Sequence, residues 1–411
     1  MMHAPLPDRR HARGRPLQTH TTVAARTSFS PVIVRPLTRD ALGARLTWCY
    51  PVFMRAVVLL GSSLGLVGTV TLGCHSGGAA TDAPCRLSFS VHPGNPVIGF
   101  QDFGGFIWND PSVRSESGQY RMWLSNGTGP LGVAIHEARS TDGLTWALAA
   151  PVAEPQLVAG PSAWDAYATE TPSLVKVGGT YHLFYTAVPD ETFVHHSIGH
   201  ATSTDGVTWQ KAAEPAVPRP TEPNEWGWLG VAEPGATVKD GVIYLYYAII
   251  RCRGGFSPAT GCTGTPLVER GIGLSTSTDG ITFTADPGNP ILVQSASYPA
   301  SELYEGYSTP QALYTRGRFY LFYDVAQVVD GAFRQVALAY AVSDDGRVFE
   351  EVGPDLLVRD PNGWTAYEIR APTVVDQGDR FEMFFAGHSA PTPTDPSFRI
   401  GIGVAGAAAC D

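Results

Sequence analysis

One pattern, repeated five times, limits this chain more than any other feature. It runs from Asp110-Pro111 to Trp123, from Thr171-Pro172 to Tyr185, from Glu233-Pro234 to Tyr247, from Thr309-Pro310 to Tyr323 and from Ala371-Pro372 to Phe385. Each copy reads as a proline, a short strand, a glycine turn and an aromatic strand. The prolines are spaced by 61, 62, 76 and 62 residues, and the long interval holds an insertion bracketed by Cys252 and Cys262. A second series follows the first at Ser140-Thr-Asp142-Gly, Ser203-Thr-Asp205-Gly, Ser277-Thr-Asp279-Gly and Ser343-Asp-Asp345-Gly. Asp-Gly between apolar runs is a hairpin signal, so these four aspartates are read as turn formers. A third echo, Asn95-Pro96, Glu154-Pro155, Glu214-Pro215 and Asn289-Pro290, completes units of about four strands each. Tandem four-stranded units predict an all-β fold, a five-bladed β-propeller of antiparallel blades. The fifth unit stops after its third strand, near residues 400–405. The segment from Arg86 to Val91 is therefore expected to supply the missing strand and close the ring over residues 86–411.

Composition agrees. With 44% hydrophobic residues in 411, the chain can bury a large core, which excludes a disordered protein. Forty-five Gly and 33 Pro require many turns, and 18 Phe, 16 Tyr and 9 Trp favour strands. Residues 1–73 hold nine Arg against Asp8 and Asp40, leaving 19 basic and 36 acidic residues in 74–411, a net of −17. Only Lys176, Lys211 and Lys239 supply lysines there. Phosphate contacts need cationic side chains, so nucleic acids and anionic lipid surfaces are excluded as main partners.

The N-terminus reads as an address. Residues 1–53 carry no apolar period and are read as an unstructured extension or a start placed too early. Met54-Arg55 then precedes an apolar run ending at Leu72-Gly73-Cys74, a secretory signal over 54–74. It resembles a bacterial lipoprotein signal, which implies lipidation at Cys74, a short linker over 75–85 and a location in the cell envelope or outside the cell. The anchor would be the only membrane contact, and a monomer is expected. Four cysteines remain in the body. The favoured pairing is Cys252–Cys262 with Cys85–Cys410, among the three pairings that four cysteines permit. It requires an oxidising compartment.

Chemistry is expected where equivalent positions converge on a propeller axis. The residue before each repeat proline is Asp110, Thr171, Glu233, Thr309 or Ala371. Two of these are carboxylic acids, the pair that glycosidic bond cleavage uses as acid and as base or nucleophile. Trp108-Asn109-Asp110-Pro111 resembles the Trp-x-Asn-Asp-Pro motif of glycoside hydrolase family 32, and the repeat pattern is similar to families 43, 62, 68, 117 and 130. The resemblance covers residues 86–406. It implies an exported glycoside hydrolase acting on furanosides or related oligo- and polysaccharides, with Asp110 as base or nucleophile and Glu233 as proton donor. Glu170 stands one residue off the shared position. Strand alternation turns it away from the axis unless a bulge intervenes, so it is carried as a third carboxylate. Trp108, Asn109, Tyr167, Trp228, Glu305, Glu368 and Arg370 are candidate substrate contacts. No cofactor is required and no metal ligands are assigned. A Ca²⁺ ion on the axis, known in some relatives, remains an open option. Two other readings stand beside the hydrolase: a non-catalytic glycan-binding propeller and a glycoside phosphorylase.

Overall fold

The computed structural model describes residues 86–408 apart from 101, 105–106, 128–131, 265–266, 295–302, 353–354 and 391–399. Cys74, Cys85 and Cys410, and with them the lipidation site and one expected disulfide, lie outside the described residues. So do the extension and the signal segment. Among the described residues, no helix is long and apolar enough to cross a membrane.

The described residues are almost entirely β. After β1 (Ser90–Val91), one antiparallel sheet holds β2 (Trp108–Glu116), β3 (Gln119–Gly127), β4 (Val133–Ser140) and β5 (Ala147–Leu148). The next holds β6 (Ala168–Val177), β7 (Thr180–Val188), β8 (Ser197–Ser203) and β9 (Gln210–Lys211). The third unit is β10 (Gly230–Lys239), β11 (Val242–Cys252), β14 (Val268–Ser277) and β15 (Thr284–Ala285). Its insertion folds as a small hairpin, β12 (Phe256–Ser257) with β13 (Gly261–Cys262), beside the Cys252–Cys262 disulfide. The fourth unit is β16 (Tyr304–Thr315), β17 (Arg318–Val329) and β18 (Ala332–Ser343), with β19 (Glu350–Glu351) and β20 (Leu357–Val358) both paired to β18. The last sheet is β21 (Glu368–Asp376), β22 (Arg380–His388) and β23 (Ile400–Ala408), and β1 adds to β23 with Ser90 opposite Gly406.

Each sheet must bury its two faces, and the aromatic second strands do this in cyclic order. Trp123 and Ile135 pack with Leu174, Leu183 and Tyr185. Phe184 and Ile198 pack with Ile243, Leu245 and Tyr247. Tyr246 and Leu274 pack with Leu321 and Tyr323. Phe322 and Tyr340 pack with Phe381 and Phe385. Phe384 and Ile402 then pack with Val113, Tyr120 and Met122, joining the last sheet to the first.

The Asp-Gly turns behave as read. Asp142 Oδ1 accepts the amides of Leu144 and Thr145 at 2.8 and 2.7 Å, and these backbone donors lower its carboxyl to about 2. Asp205, Asp279 and Asp345 accept amides in the same way.

The inner strands are tied by hydrogen bonds from the residue after each proline. Ser112 accepts the Leu174 amide, Ser173 that of Ala236, Gln311 that of Val374 and Thr373 that of Val113. The third unit breaks the series with Gly235. A Cβ there would stand 1.9 Å from the Pro310 carbonyl oxygen, so only glycine lets the two inner strands approach. Gly235→Ala is expected to cost roughly 1–3 kcal/mol, the usual penalty of overpacking. A thermal melt followed by circular dichroism checks this, and an unchanged midpoint would refute it.

Candidate active site

The same distortion occurs in every inner strand. Pairing skips between Asn109 and Ser112, Glu170 and Ser173, Ala232 and Gly235, Ser308 and Gln311, and Arg370 and Thr373. At each skip the residue before the proline has positive φ: Asp110 50°, Thr171 49°, Glu233 58°, Thr309 41° and Ala371 51°. A bulge sets two residues against one and re-aims side chains. Non-glycine residues in this region carry strain, which concentrates at functional sites. The five equivalent positions read from the sequence therefore share one backbone geometry. The bulge also removes the reason for turning Glu170 away.

All five bulges lie near the starts of their strands, at the end opposite the tight turns such as Gly178-Gly179. Beside them Pro111, Pro172, Pro234, Pro310 and Pro372 converge on one gap of about 20 Å³, room for a single water. Beyond this constriction a cavity of about 330 Å³ opens toward the other end, lined by residues such as Ser112, Thr237 and Gln311. The prolines thus give the carboxylate end a floor.

Above that floor, charged groups gather. Arg370 Nη2 donates to Asp110 Oδ1 at 2.8 Å, and Arg370 Nη1 lies 3.8 Å from Glu368 Oε1. Asp110 is buried and also receives the Thr171 hydroxyl at 3.5 Å. Burial raises its carboxyl, opposed by Arg370 and reinforced by Glu233. Among the described residues, Glu170 makes no such ion pair. Burial, with Asp110 and Glu233 adding repulsion and Arg370 opposing, pushes it up to about 8. Glu170 therefore holds its proton at neutral pH. Glu233 Oε2 accepts the Thr309 amide at 3.0 Å, and its own amide donates to Thr186 Oγ1 at 2.7 Å. Burial raises Glu368 as well. Its neighbour His388, with Nε2 3.7 Å from Oε1, is pulled down to about 3, mainly by burial. His196, which feels the Glu233 charge, is lowered to about 4 for the same reason.

The raised Glu170 carboxyl has a consequence for stability. Its contribution is complete below the ordinary carboxylate range and is lost as pH rises toward 8, because the folded site resists the charge. Glu170→Gln is expected to flatten the fall of melting temperature between pH 5 and 8. Parallel melts of the two proteins across that range check it, and identical slopes would contradict it.

The remaining sequence candidates divide. Asn109 flanks Asp110, with a buried Oδ1 that has no hydrogen-bond partner among the described residues. Tyr167 is 43% exposed and meets the exposed Phe193 edge-on at 5.4 Å, two residues before the buried Thr169 and three before Glu170. Trp108 is corrected: it is fully buried, bonded through Nε1 to the Asp102 carbonyl and edge-on to Phe103 and His136. Its β2 position faces the core between the first and last sheets, so it offers no surface to a ligand. Trp228 is likewise buried, between His195 and Phe256. Glu305 is buried beside Arg270, 3.5 Å away, and its electrostatic partners are Arg270 and Arg253 rather than Asp110. Among the described residues, no group of three His, Cys, Asp or Glu side chains is placed to hold a metal ion.

Sequence reasoning missed Asp324. It lies fully buried on β17 opposite Ser308, and both its oxygens are engaged. Ser308 Oγ donates to Oδ1 at 2.5 Å, while Thr309 Oγ1 and the Ala371 amide donate to Oδ2. A signal existed. Asp324 ends the run Leu321-Phe-Tyr323 where the second unit has Thr186, whose hydroxyl holds the Glu233 amide, and the first has Ser125, whose hydroxyl holds that of Thr171.

Comparison with known proteins comes to the same fold. The glycosyl hydrolases family 32 N-terminal domain matches residues 162–297. A search of curated proteins finds no significant match. Among solved structures, a thermostable family 43 glycoside hydrolase aligns at TM-score 0.53 with 15% identity, over 72% of this protein and 88% of its own length. A family 117 glycoside hydrolase of the marine bacterium Zobellia galactanivorans aligns at 0.52 with 16% identity, over 79% and 89%. A protein from work on the family 130 mannoside phosphorylases, a family stated to contain glycoside hydrolases targeting β-1,2 mannosidic linkages, aligns at 0.54 with 14% identity, over 78% and 94%. By fold, the chain is similar to these propeller-type glycoside hydrolases.

Proposed function

We propose that this protein is an exported glycoside hydrolase, a five-bladed propeller whose ring is closed by β1, acting on furanosides or related glycans. The observation that carries the proposal is the pairing of a proton-holding Glu170 with an Arg370-bound Asp110 around one bulged ring. Glycosidic cleavage needs one carboxyl that keeps its proton and one that has lost it. In this reading Glu170 passes its proton to the glycosidic oxygen as the bond to C1 breaks. Asp110, ionised beside Arg370, takes a proton from the attacking water or bonds to C1. Glu233 is the third carboxylate, its charge supported by the Thr309 amide. The donor role thus moves from Glu233, where family resemblance places it, to Glu170, where electrostatics favour it. Tyr167 and Phe193 are placed to carry a sugar ring on their exposed faces. The Cys252–Cys262 disulfide supports an oxidising compartment.

The test is a panel of aryl furanosides and furanose-containing oligosaccharides in phosphate-free buffer, with products read by proton NMR at the anomeric position. Hydrolysis predicts free sugar without phosphate. Formation of a sugar 1-phosphate only when phosphate is added would overturn it in favour of a phosphorylase. Binding without turnover would leave a glycan-binding propeller.

A further inference from the structure

We propose that Asp324 is a positioning residue for the site: through Thr309 it aims the backbone N–H that holds the Glu233 carboxylate. The inference rests on the carboxylate site described above, and it assigns work to a residue that touches no substrate.

The chain of contacts is short. Thr309 occupies the bulge position of the fourth unit with φ 41°. For a β-branched residue that conformation is a true outlier, which persists only where neighbours hold it. Three contacts hold it here: its hydroxyl donates to Asp324 Oδ2 and accepts the Ala371 amide at 3.2 Å, and its own amide donates to Glu233 Oε2 at 3.0 Å. Asp324 is itself fixed by the Ser308 hydroxyl and by the Ala371 amide of the next inner strand at 3.2 Å. It therefore ties two successive bulges together and locks the one that points at Glu233.

The third unit shows why this device stands here. In the first, second and fourth units a polar side chain on the second strand accepts the amide of the next bulge residue: Ser125 for Thr171, Thr186 for Glu233 and Asp324 for Ala371. The third unit has Ala248 at that position, opposite Ala232, and the fifth has Ala386, opposite Arg370. The Thr309 amide is thereby left to Glu233 itself. The break in the repeat frees one backbone donor for a site carboxylate, and Asp324 keeps that donor in place.

Asp324 and Glu233 also repel each other. Burial and the Glu233 charge hold the Asp324 carboxyl above the ordinary carboxylate range. The charged groups facing Asp324 are Glu233 and Arg370, and its uncharged partners are Ser308, Thr309 and the Ala371 amide.

The experiment is carbon-13 NMR of the intact protein labelled at glutamate side-chain carboxyls, with the Glu233 resonance assigned through Glu233→Gln, together with amide-proton spectra. In the wild type, the Thr309 amide proton should resonate downfield. Asp324→Asn should shift the Thr309 amide upfield and move the Glu233 carboxyl resonance. Thr309→Val, which keeps the N–H but loses the hydroxyl, should shift that amide in the same direction, and it serves if Asp324→Asn fails to fold. Thr309→Ser should resemble the wild type. On a substrate of the wild type, kcat should fall about tenfold or more in Asp324→Asn with KM little changed, the size of a disturbed acid–base group. An unaltered Glu233 carboxyl resonance and Thr309 amide in both variants would overturn the inference and leave Asp324 as a structural tie. Because the NMR readout needs no turnover, it decides this question even if no glycoside is cleaved.

Discussion

Glu170→Gln is expected to lower kcat on unactivated glycosides by about 10²–10⁴-fold, the contribution of a general acid. The loss should depend on the leaving group. A dinitrophenyl glycoside departs without protonation, so on that substrate the variant should approach wild-type rates. The pH profile gives an independent sign. Burial and the neighbouring Asp110 and Glu233 carboxylates push Glu170 up to about 8. Wild-type activity should therefore fall as pH rises past 8, where the donor loses its proton, and the variant should lack that limb. If Glu233→Gln rather than Glu170→Gln shows this leaving-group dependence, the assignment drawn from family resemblance is right and the electrostatic one is wrong.

Arg370→Met is expected to produce the largest loss of stability. Arg370 lies partly buried among Asp110, Glu368, Glu233 and Asp324, and these acidic neighbours raise its already high proton affinity. Its guanidinium bonds Asp110 directly at 2.8 Å. Removing one partner of a buried pair leaves the other charge uncompensated, at a cost of about 3–5 kcal/mol. Much of that penalty should vanish when the orphaned charge is removed too. The double variant Asp110→Asn with Arg370→Met should thus be more stable than Arg370→Met alone. Urea unfolding of the four proteins in the cycle measures the coupling, and strict additivity would show that the pair carries no mutual energy.

Much of this architecture could be read from the repeats. The proline spacing located every inner strand, and the Asp-Gly turns and the local disulfide stand where the sequence put them. The equivalence of the five positions before proline was legible for the same reason, since one local sequence imposes one backbone shape. The position of Glu170 was not. Period-two alternation decides which way a strand residue faces, and a bulge cancels it without leaving a residue type that announces it. Trp108 failed in a different way. A tryptophan beside a site reads equally as a sugar platform or as core, and only the packing of the last sheet against the first settles it here. Asp324 escapes a reading of the second strands for their aromatic residues, because it is the polar residue ending the run, present in the first, second and fourth units, that accepts a backbone amide of the next unit.

Everything proposed for the site turns on whether Asp110 and Glu170 work together on a glycosidic bond. The most direct measurement compares sugar release from furanose-containing plant and microbial glycans by the wild type and by the double variant Asp110→Asn with Glu170→Gln. Circular dichroism and melting would be matched to confirm that both are folded. Release by the wild type on at least one glycan is expected, with essentially none by the folded double variant. Equal release by both proteins, or none by the wild type on glycans it binds, would show that these two carboxyl groups do not form a catalytic pair.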